Sequence, residues 1–137
     1  DRVLFVCEED IWEVSDKGGV ARRMTSGRGG FSHAQFSPDG AWLAVSALEE
    51  GPREIYLMPT SGGELKRLTF LNSNSIVRGW DKDQIIFSTR AFDPNQEDSL
   101  ASVAKTGGAA KPLGWGQTTR RAMVLLPDGF YKRSKGI

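Results

Sequence analysis

The sequence has almost no histidine or cysteine, with one residue of each, His33 and Cys7, among 137. A single cysteine cannot form a disulfide within the chain, and a free cysteine is usually a small buried residue rather than a nucleophile. One histidine and one cysteine far apart in the chain do not make a metal site, since such sites need about four ligands. We therefore expect neither a metal nor another cofactor, and we interpret Cys7 as a buried strand residue.

The sequence also lacks an excess of charge of one sign and a long apolar run. It carries 18 Lys and Arg against 17 Asp and Glu, a formal net charge of +1, so no overall field favours nucleic acid or an anionic membrane. No apolar run approaches the roughly 18 residues that a spanning helix needs. We therefore expect no nucleic-acid partner and no membrane partner. Paired basic residues at Arg22-Arg23 and Lys66-Arg67 fall on the last strand of a predicted sheet, where charge hinders edge-to-edge aggregation.

No segment shows the 3.6-residue periodicity of a helix, and the sequence offers short strand-like runs between turns instead. Residues 31–70 contain four such runs, at Phe31–Phe36, Trp42–Ala47, Glu54–Pro59 and Leu65–Phe70. Asp-Gly and Gly-Gly between apolar runs are strong hairpin signals, because glycine tolerates the positive φ that tight turns require. This stretch is predicted to form one four-stranded antiparallel sheet.

The turn signals recur at a fixed period. Gly-Gly stands at Gly18-Gly19, Gly62-Gly63 and Gly107-Gly108, at spacings of 44 and 45 residues. Pro-Asp-Gly stands at Pro38-Asp39-Gly40 and again at Pro127-Asp128-Gly129, 89 residues later. We interpret these residues as structural turns. A period of about 40–45 residues with four strands per unit is typical of β-propeller blades, so the fold is predicted to be all-β, a propeller fragment of about three four-stranded antiparallel blades.

The repeat divides the chain into four units. Residues 1–30 are expected to form a blade without its innermost strand, residues 31–70 and 75–115 two complete blades, and residues 119–137 the start of the next blade. The chain opens at Asp1 already within a strand and stops shortly after a fresh turn. We therefore expect it to be a piece of a longer protein, a partial propeller over residues 1–137.

The turn at residues 37–40, Ser-Pro-Asp-Gly, and the Gly-Gly turns followed by Arg-Met-Thr at 23–25 or Arg-Leu-Thr at 67–69 resemble the TolB/tricorn-type propeller repeat. The opening residues 1–13, Asp-Arg-Val-Leu-Phe-Val-Cys-Glu-Glu-Asp-Ile-Trp-Glu, are similar to the start of the N-terminal propeller of tricorn proteases. The third unit departs from the pattern at Lys82-Asp83, where Pro-Asp-Gly is missing. The resemblance implies a six-bladed first propeller, a second propeller, a PDZ-like domain and a serine-peptidase core in a cytoplasmic protein.

On this resemblance, the expected function is that of a non-catalytic module of a serine peptidase that gates or channels peptides. The implied partners are peptides or protein segments, the remaining blades and domains of the parent chain, and a second copy of the chain. Two alternatives stay open, a TolB-like protein-interaction propeller in the periplasm and the propeller of a peptidase of the prolyl oligopeptidase type. No position matches the family's nucleophilic serine or its histidine, and Ser32 and His33 point to opposite faces as strand neighbours. No catalytic residue is therefore assigned.

The first strand of each blade lines the central channel of a propeller, so the candidates for contact with a passing ligand lie there. By alternation, His33 and Gln35 share one face in the second unit, and Val77 shares a face with Gly79 in the third. Arg78 is a further polar candidate, although alternation places it on the opposite face. We predict that His33, Gln35, Val77 and Arg78 line the channel.

Overall fold

The computed structural model describes residues 1–26 and 29–114, and in them the chain is all-β. Their eleven strands are β1 (Arg2–Cys7), β2 (Asp10–Ser15), β3 (Arg22–Arg23), β4 (Ser32–Phe36), β5 (Trp42–Ala47), β6 (Glu54–Pro59), β7 (Lys66–Arg67), β8 (Ile76–Asp81), β9 (Gln84–Thr89), β10 (Ser99–Ala104) and β11 (Lys111–Pro112). No helix that could cross a membrane occurs in these residues. The predicted unit at 119–137, with Asp128 and Gly129, lies outside them.

Three antiparallel sheets follow one another along the chain. Sheet 1 has three strands in the order β1-β2-β3, sheet 2 has the order β4-β5-β6-β7, and sheet 3 has the order β8-β9-β10-β11. Within each sheet, every strand pairs with the strand that precedes or follows it in sequence, so each sheet is a simple meander. The predicted fold class, a fragment of a propeller built from three- and four-stranded antiparallel sheets, is confirmed.

The Gly-Gly pairs lie at the same point of all three sheets. Gly62 and Gly63 have φ of 96° and 143°, the region that side chains with a Cβ rarely adopt, and the Gly62 amide donates to the Pro59 carbonyl at 3.1 Å. Equivalent amide-to-carbonyl bonds join Gly18 to Ser15 and Gly107 to Ala104, each at 2.9 Å. The positive φ explains why glycine recurs at this point of the repeat.

Sheet 2 is buried on both faces because it lies between the other two sheets. On β5, Leu43 and Val45 belong to an apolar cluster shared with Ile11 of sheet 1. Ala44, between them in sequence, belongs to a second cluster shared with Phe87 of sheet 3. Each fully buried Leu, Val or Ile side chain contributes about 1.5–3 kcal/mol relative to exposure. Two-sided burial therefore explains why β5 and β6 are apolar on both faces rather than alternating with polar residues.

A buried carboxylate ties sheet 1 to the turns of sheet 2. Glu13 is 8% exposed and binds Arg2 at 3.0 Å and Arg22 at 2.8 Å. Arg2 also donates to the Gly40 carbonyl at 2.8 Å, and Arg22 lies 3.4 Å from the Thr60 carbonyl. The two arginines therefore link β2 of sheet 1 to the end of sheet 2 that carries the β4–β5 turn, which is opposite the loop 48–53 between β5 and β6.

Two details differ from the sequence expectation. Cys7 is exposed, because β1 forms the open edge of sheet 1 in the described residues, with β2 on one side and no strand on the other. The outer strand of sheet 2 was predicted over Leu65–Phe70, but only Lys66 and Arg67 are in the ladder. The Leu68 amide still donates to the Ile55 carbonyl at 2.8 Å. The Ile55 amide in turn donates to the Thr69 hydroxyl at 2.9 Å, so a side chain replaces the next backbone hydrogen bond of the ladder.

Candidate functional site

The inner strands β4 and β8 lie side by side in neighbouring sheets and carry the same irregularity. In β4, Ser32 pairs with Ser46 and Gln35 with Ala44, so three steps along β4 face two along β5. In β8, the register shifts between Val77 and Gly79. Each inner strand thus contains a one-residue bulge near its beginning, and bulges redirect side chains.

The bulges change which residues share a face. Cross-strand partners lie on the same face, so Ser32 and Gln35 both face sheet 3 although three positions separate them. His33 lies inside the bulge with a positive φ of 53° and is exposed, while Gln35 is half-buried. Strict alternation, which grouped His33 with Gln35, therefore does not hold in this strand.

Val77 and Arg78 separate in the same way. Val77 is 2% exposed and packs in the cluster between sheets 2 and 3, and its amide donates to the Ser46 hydroxyl at 2.8 Å. Arg78 occupies the bulge, is exposed, and donates from Nε to the Ser88 hydroxyl at 3.0 Å. Val77 therefore anchors β8 in the core beside the exposed arginine.

Arg53 joins these residues from the loop before β6. Its Nη1 donates to the Gly30 carbonyl at 3.0 Å and to the Ser32 hydroxyl. Its own carbonyl accepts the Ser75 amide, 2.8 Å away, just before β8 begins. Sequence reasoning missed Arg53, since a lone basic residue in a polar loop carries no signal. Its role becomes visible only in the structure, where it lies beside Ser32, the first residue of β4.

We call His33, Arg53 and Arg78 the inner cation cluster. Partial burial of the imidazole lowers the pKa of His33 below its usual 6.5, and the Arg78 and Arg53 guanidinium groups lower it further. Within the described residues, neither arginine has a carboxylate within 4 Å, whereas Arg2, Arg22, Arg23, Arg67 and Arg90 all do. The cluster is therefore a positively charged patch at the start of two inner strands, and its charge comes from the two guanidinium groups, because the lowered pKa leaves the imidazole neutral near neutral pH.

The arrangement suits binding of an anionic or hydrogen-bond-accepting group. Guanidinium groups are rigid multiple donors that match carboxylates. Ser32 precedes His33 in the sequence, and its hydroxyl accepts a hydrogen bond from Arg53. No group of three or more His, Cys, Asp or Glu residues placed to hold a metal occurs in residues 1–26 and 29–114.

The Ser-Pro-Asp-Gly turn lies at the other end of sheet 2 and has a structural explanation. The Asp39 carboxylate accepts the Ser37 hydroxyl at 2.5 Å and the Ala41 amide at 3.0 Å, and Gly40 follows with φ of 73°. These bonds, the hydroxyl first, lower the pKa of Asp39 below 3.8. Pro38 is exposed in the same turn. This turn is remote from the cation cluster, since it joins the opposite ends of β4 and β5.

Comparison with known proteins gives a consistent family. Residues 1–130 match the family described as the tricorn protease N-terminal beta propeller domain. The chain is 32% identical over 141 residues to the tricorn protease of Thermoplasma acidophilum, a match that covers 94% of this chain and 13% of that protein. It is 31% identical over 118 residues to tricorn protease homolog 1 of Streptomyces coelicolor, covering 85% of this chain and 10% of that protein. The chain thus spans about an eighth or less of these two relatives.

Solved structures agree on the architecture. The crystal structure of the tricorn protease superposes with a TM-score of 0.71 at 32% identity, over 82% of this chain and 12% of that one. A putative TolB from Agrobacterium tumefaciens superposes with a TM-score of 0.69 at 20% identity, over 82% of this chain and 44% of that one. At that identity the second likeness concerns the fold alone.

Proposed function

This chain belongs to the family of tricorn protease N-terminal beta propeller domains, and from that membership we propose that it is a non-catalytic module of a tricorn-like serine peptidase that admits or guides peptides. The observation that carries the proposal is the exposure of two members of the inner cation cluster, His33 on β4 and Arg78 on β8, on the inner strands of two neighbouring sheets. In a propeller the first strand of each blade borders the central channel, so a peptide passing there would meet His33, Arg78 and the half-buried Gln35. Val77 would support that wall from the core.

The module is proposed to work against other parts of its parent protein. Sheet 1 leaves an apolar face open within the described residues, with Val3 45% and Phe5 39% exposed. Soluble monomers rarely expose an apolar sheet face, so this face fits contact with a further blade or with a second copy of the chain. A relative from Sulfurisphaera tokodaii, 33% identical over 98 residues, is named a putative tricorn-like protease N-terminal subunit; the match covers 67% of this chain and 49% of that protein. That name fits a propeller that acts beside its peptidase, in the cytoplasm as the resemblance implies.

The experiment that tests the proposal narrows the channel and measures hydrolysis by the full-length protein. Arg78→Cys in a Cys7→Ser background is labelled with a bulky maleimide, and hydrolysis of a long peptide is compared with hydrolysis of a very short one. We expect kcat/KM for the long peptide to fall several-fold on labelling while the short substrate is unaffected. Arg90→Cys, in an exposed loop of the same sheet, is the matched control. Equal rates for the long peptide before and after labelling at position 78 would contradict the proposal.

A further inference from the structure

We propose that the inner cation cluster is a binding site for the acidic side chain of a peptide, so that the module favours Asp- and Glu-containing segments. The proposal rests on the proposed function in one respect, that peptides reach the inner strands. It adds a preference of charge, assigned to His33, Arg53 and Arg78.

The three residues are brought together by the packing of β4, β8 and the loop before β6. Arg53 bonds to Ser32, the residue before His33, and its carbonyl accepts the amide of Ser75 ahead of β8. Farther along the strands, the Trp80 indole donates to the Gln35 carbonyl at 3.0 Å, which fixes β8 against β4. The bulges at His33 and Arg78 lie between these hydrogen bonds, so the backbone that carries both side chains is held in place on either side.

The positive charge of the cluster is not neutralised within the described residues. Of the two carboxylates in the adjacent loop, Glu50 pairs with Arg67 at 3.3 Å. Glu49 makes no ion pair within 4 Å among residues 1–26 and 29–114, and its carboxylate lies against the backbone at Gly29. In a protein with nearly balanced charge, two guanidinium groups that both act on one imidazole and make no ion pair among residues 1–26 and 29–114 create a local field that attracts an anion.

The arginines are held, and they keep donors available. Arg53 is fixed through Nη1, and the hydrogen bond of Arg78 to Ser88 uses Nε. Because Nε holds the Arg78 side chain in place, its terminal nitrogens are oriented before a ligand arrives, which reduces the entropic cost of binding. Peptides carry carboxylates as their anionic side-chain groups, and charge-assisted bonds from arginine to carboxylate are about twice as strong as neutral ones.

The test measures binding of two matched peptides to the full-length protein, with its peptidase site blocked by a covalent serine-peptidase inhibitor. Both fluorescent peptides are acetylated and amidated, so the only carboxylates are side chains. One contains an internal Asp-Glu pair and the other Asn-Gln. We expect the acidic peptide to bind about fivefold more tightly at low ionic strength, and the difference to shrink at high salt because exposed charges are screened.

The variants assign the preference to the cluster. Arg78→Gln should abolish the difference between the two peptides, and Arg78→Lys should keep part of it because the charge remains. Arg90→Gln removes an arginine whose charge Asp98 already balances and should leave the difference intact. Thermal melts of all variants check that the fold is unchanged.

The outcomes separate this inference from the proposed function. Equal binding of both peptides by the wild-type protein overturns the charge preference and leaves peptide binding by the module intact. Binding of neither peptide overturns both. A preference for the acidic peptide that survives Arg78→Gln shows that the carboxylate is bound elsewhere and contradicts the assignment to the cluster.

Discussion

Glu54 and Thr69 form a buried hydrogen-bonded pair at the end of sheet 2, in which the threonine hydroxyl donates to the glutamate carboxylate. The same hydroxyl accepts the Ile55 amide at 2.9 Å, a bond that the backbone would otherwise make. Asp10 and Thr25 repeat the arrangement in sheet 1 at 2.8 Å. The Arg-Leu-Thr and Arg-Met-Thr sequences therefore end the outer strand with a side chain in place of a further ladder bond.

Sheet 3 has lost this arrangement as a whole. The strand pairing places Ser99 where sheets 1 and 2 have an acid, Pro112 where they have arginine and Gly114 where they have threonine. The amide of Leu113 still bonds to the Leu100 carbonyl at 2.9 Å, as Leu68 does in sheet 2. Acid, arginine and threonine thus occur together in sheets 1 and 2, where the arginine lies 3.6 Å from the acid, and are absent together from sheet 3.

The first prediction concerns this network. Thr69→Val keeps the shape but leaves the buried Ile55 amide without its acceptor and one oxygen of the Glu54 carboxylate without its donor, while the other oxygen keeps the Asn72 amide. We therefore expect a loss of about 1–3 kcal/mol in the free energy of unfolding. Urea unfolding measures it. Thr106→Val, at an exposed turn position, should change stability by less than about 0.5 kcal/mol. If the urea unfolding midpoints and slopes of the two variants are equal, the Thr69 hydroxyl does not contribute to stability.

The second prediction concerns the glycine turn of sheet 2. No atom lies within 4 Å of a Cβ built on Gly62, so the cost of Gly62→Val is backbone strain at φ of 96°. We expect Gly62→Val and Gly63→Val each to lower the free energy of unfolding by about 1–3 kcal/mol. Ser61→Val, in the same turn, is the control. Denaturant melts in which the glycine variants match wild type would refute the turn assignment.

The third prediction concerns pH. The folded-state pKa of Asp39 lies below the 3.8 of the unfolded chain, so its ionised form stabilises the fold above pH 3.8 and this contribution is lost as pH falls through the lower folded value. The stability difference between wild type and Asp39→Asn should therefore be constant near neutrality and shrink below about pH 4. Chemical unfolding at a series of pH values measures it. A difference that grows on acidification would have the wrong sign.

The fourth prediction concerns the open face of sheet 1. Because β1 has no partner on one edge among residues 1–26 and 29–114 and exposes Val3 and Phe5, the 137-residue chain alone is expected to self-associate at micromolar concentration. Val3→Lys with Phe5→Lys should weaken association. Val20→Lys should not, because Val20, although exposed, lies in the connection between β2 and β3 and not on the face of β1 that carries Val3 and Phe5. Sedimentation velocity decides the matter, and a stable wild-type monomer would contradict the expectation.

The sequence predicted what depends on local chemistry and missed what depends on strand register and on contacts between distant segments. Glycine pairs and apolar runs follow from φ preferences and burial, and the sheets they indicated are present. The bulges at His33 and Arg78 could not be predicted, since one extra residue leaves no compositional trace. Arg53 was missed because its neighbours come from β4 and from the segment before β8.

The most direct test of the account is whether a peptide touches the inner strands in the full-length protein. A photoreactive benzoylphenylalanine replaces Arg78 on β8 or, as a control, the exposed Lys66 on the outer strand β7. A peptide substrate is added, the sample is irradiated, and peptide adducts are counted by mass spectrometry. We expect adducts at position 78 and few at position 66. Adducts at 66 alone, or none at 78 while the peptide is being hydrolysed, would contradict it.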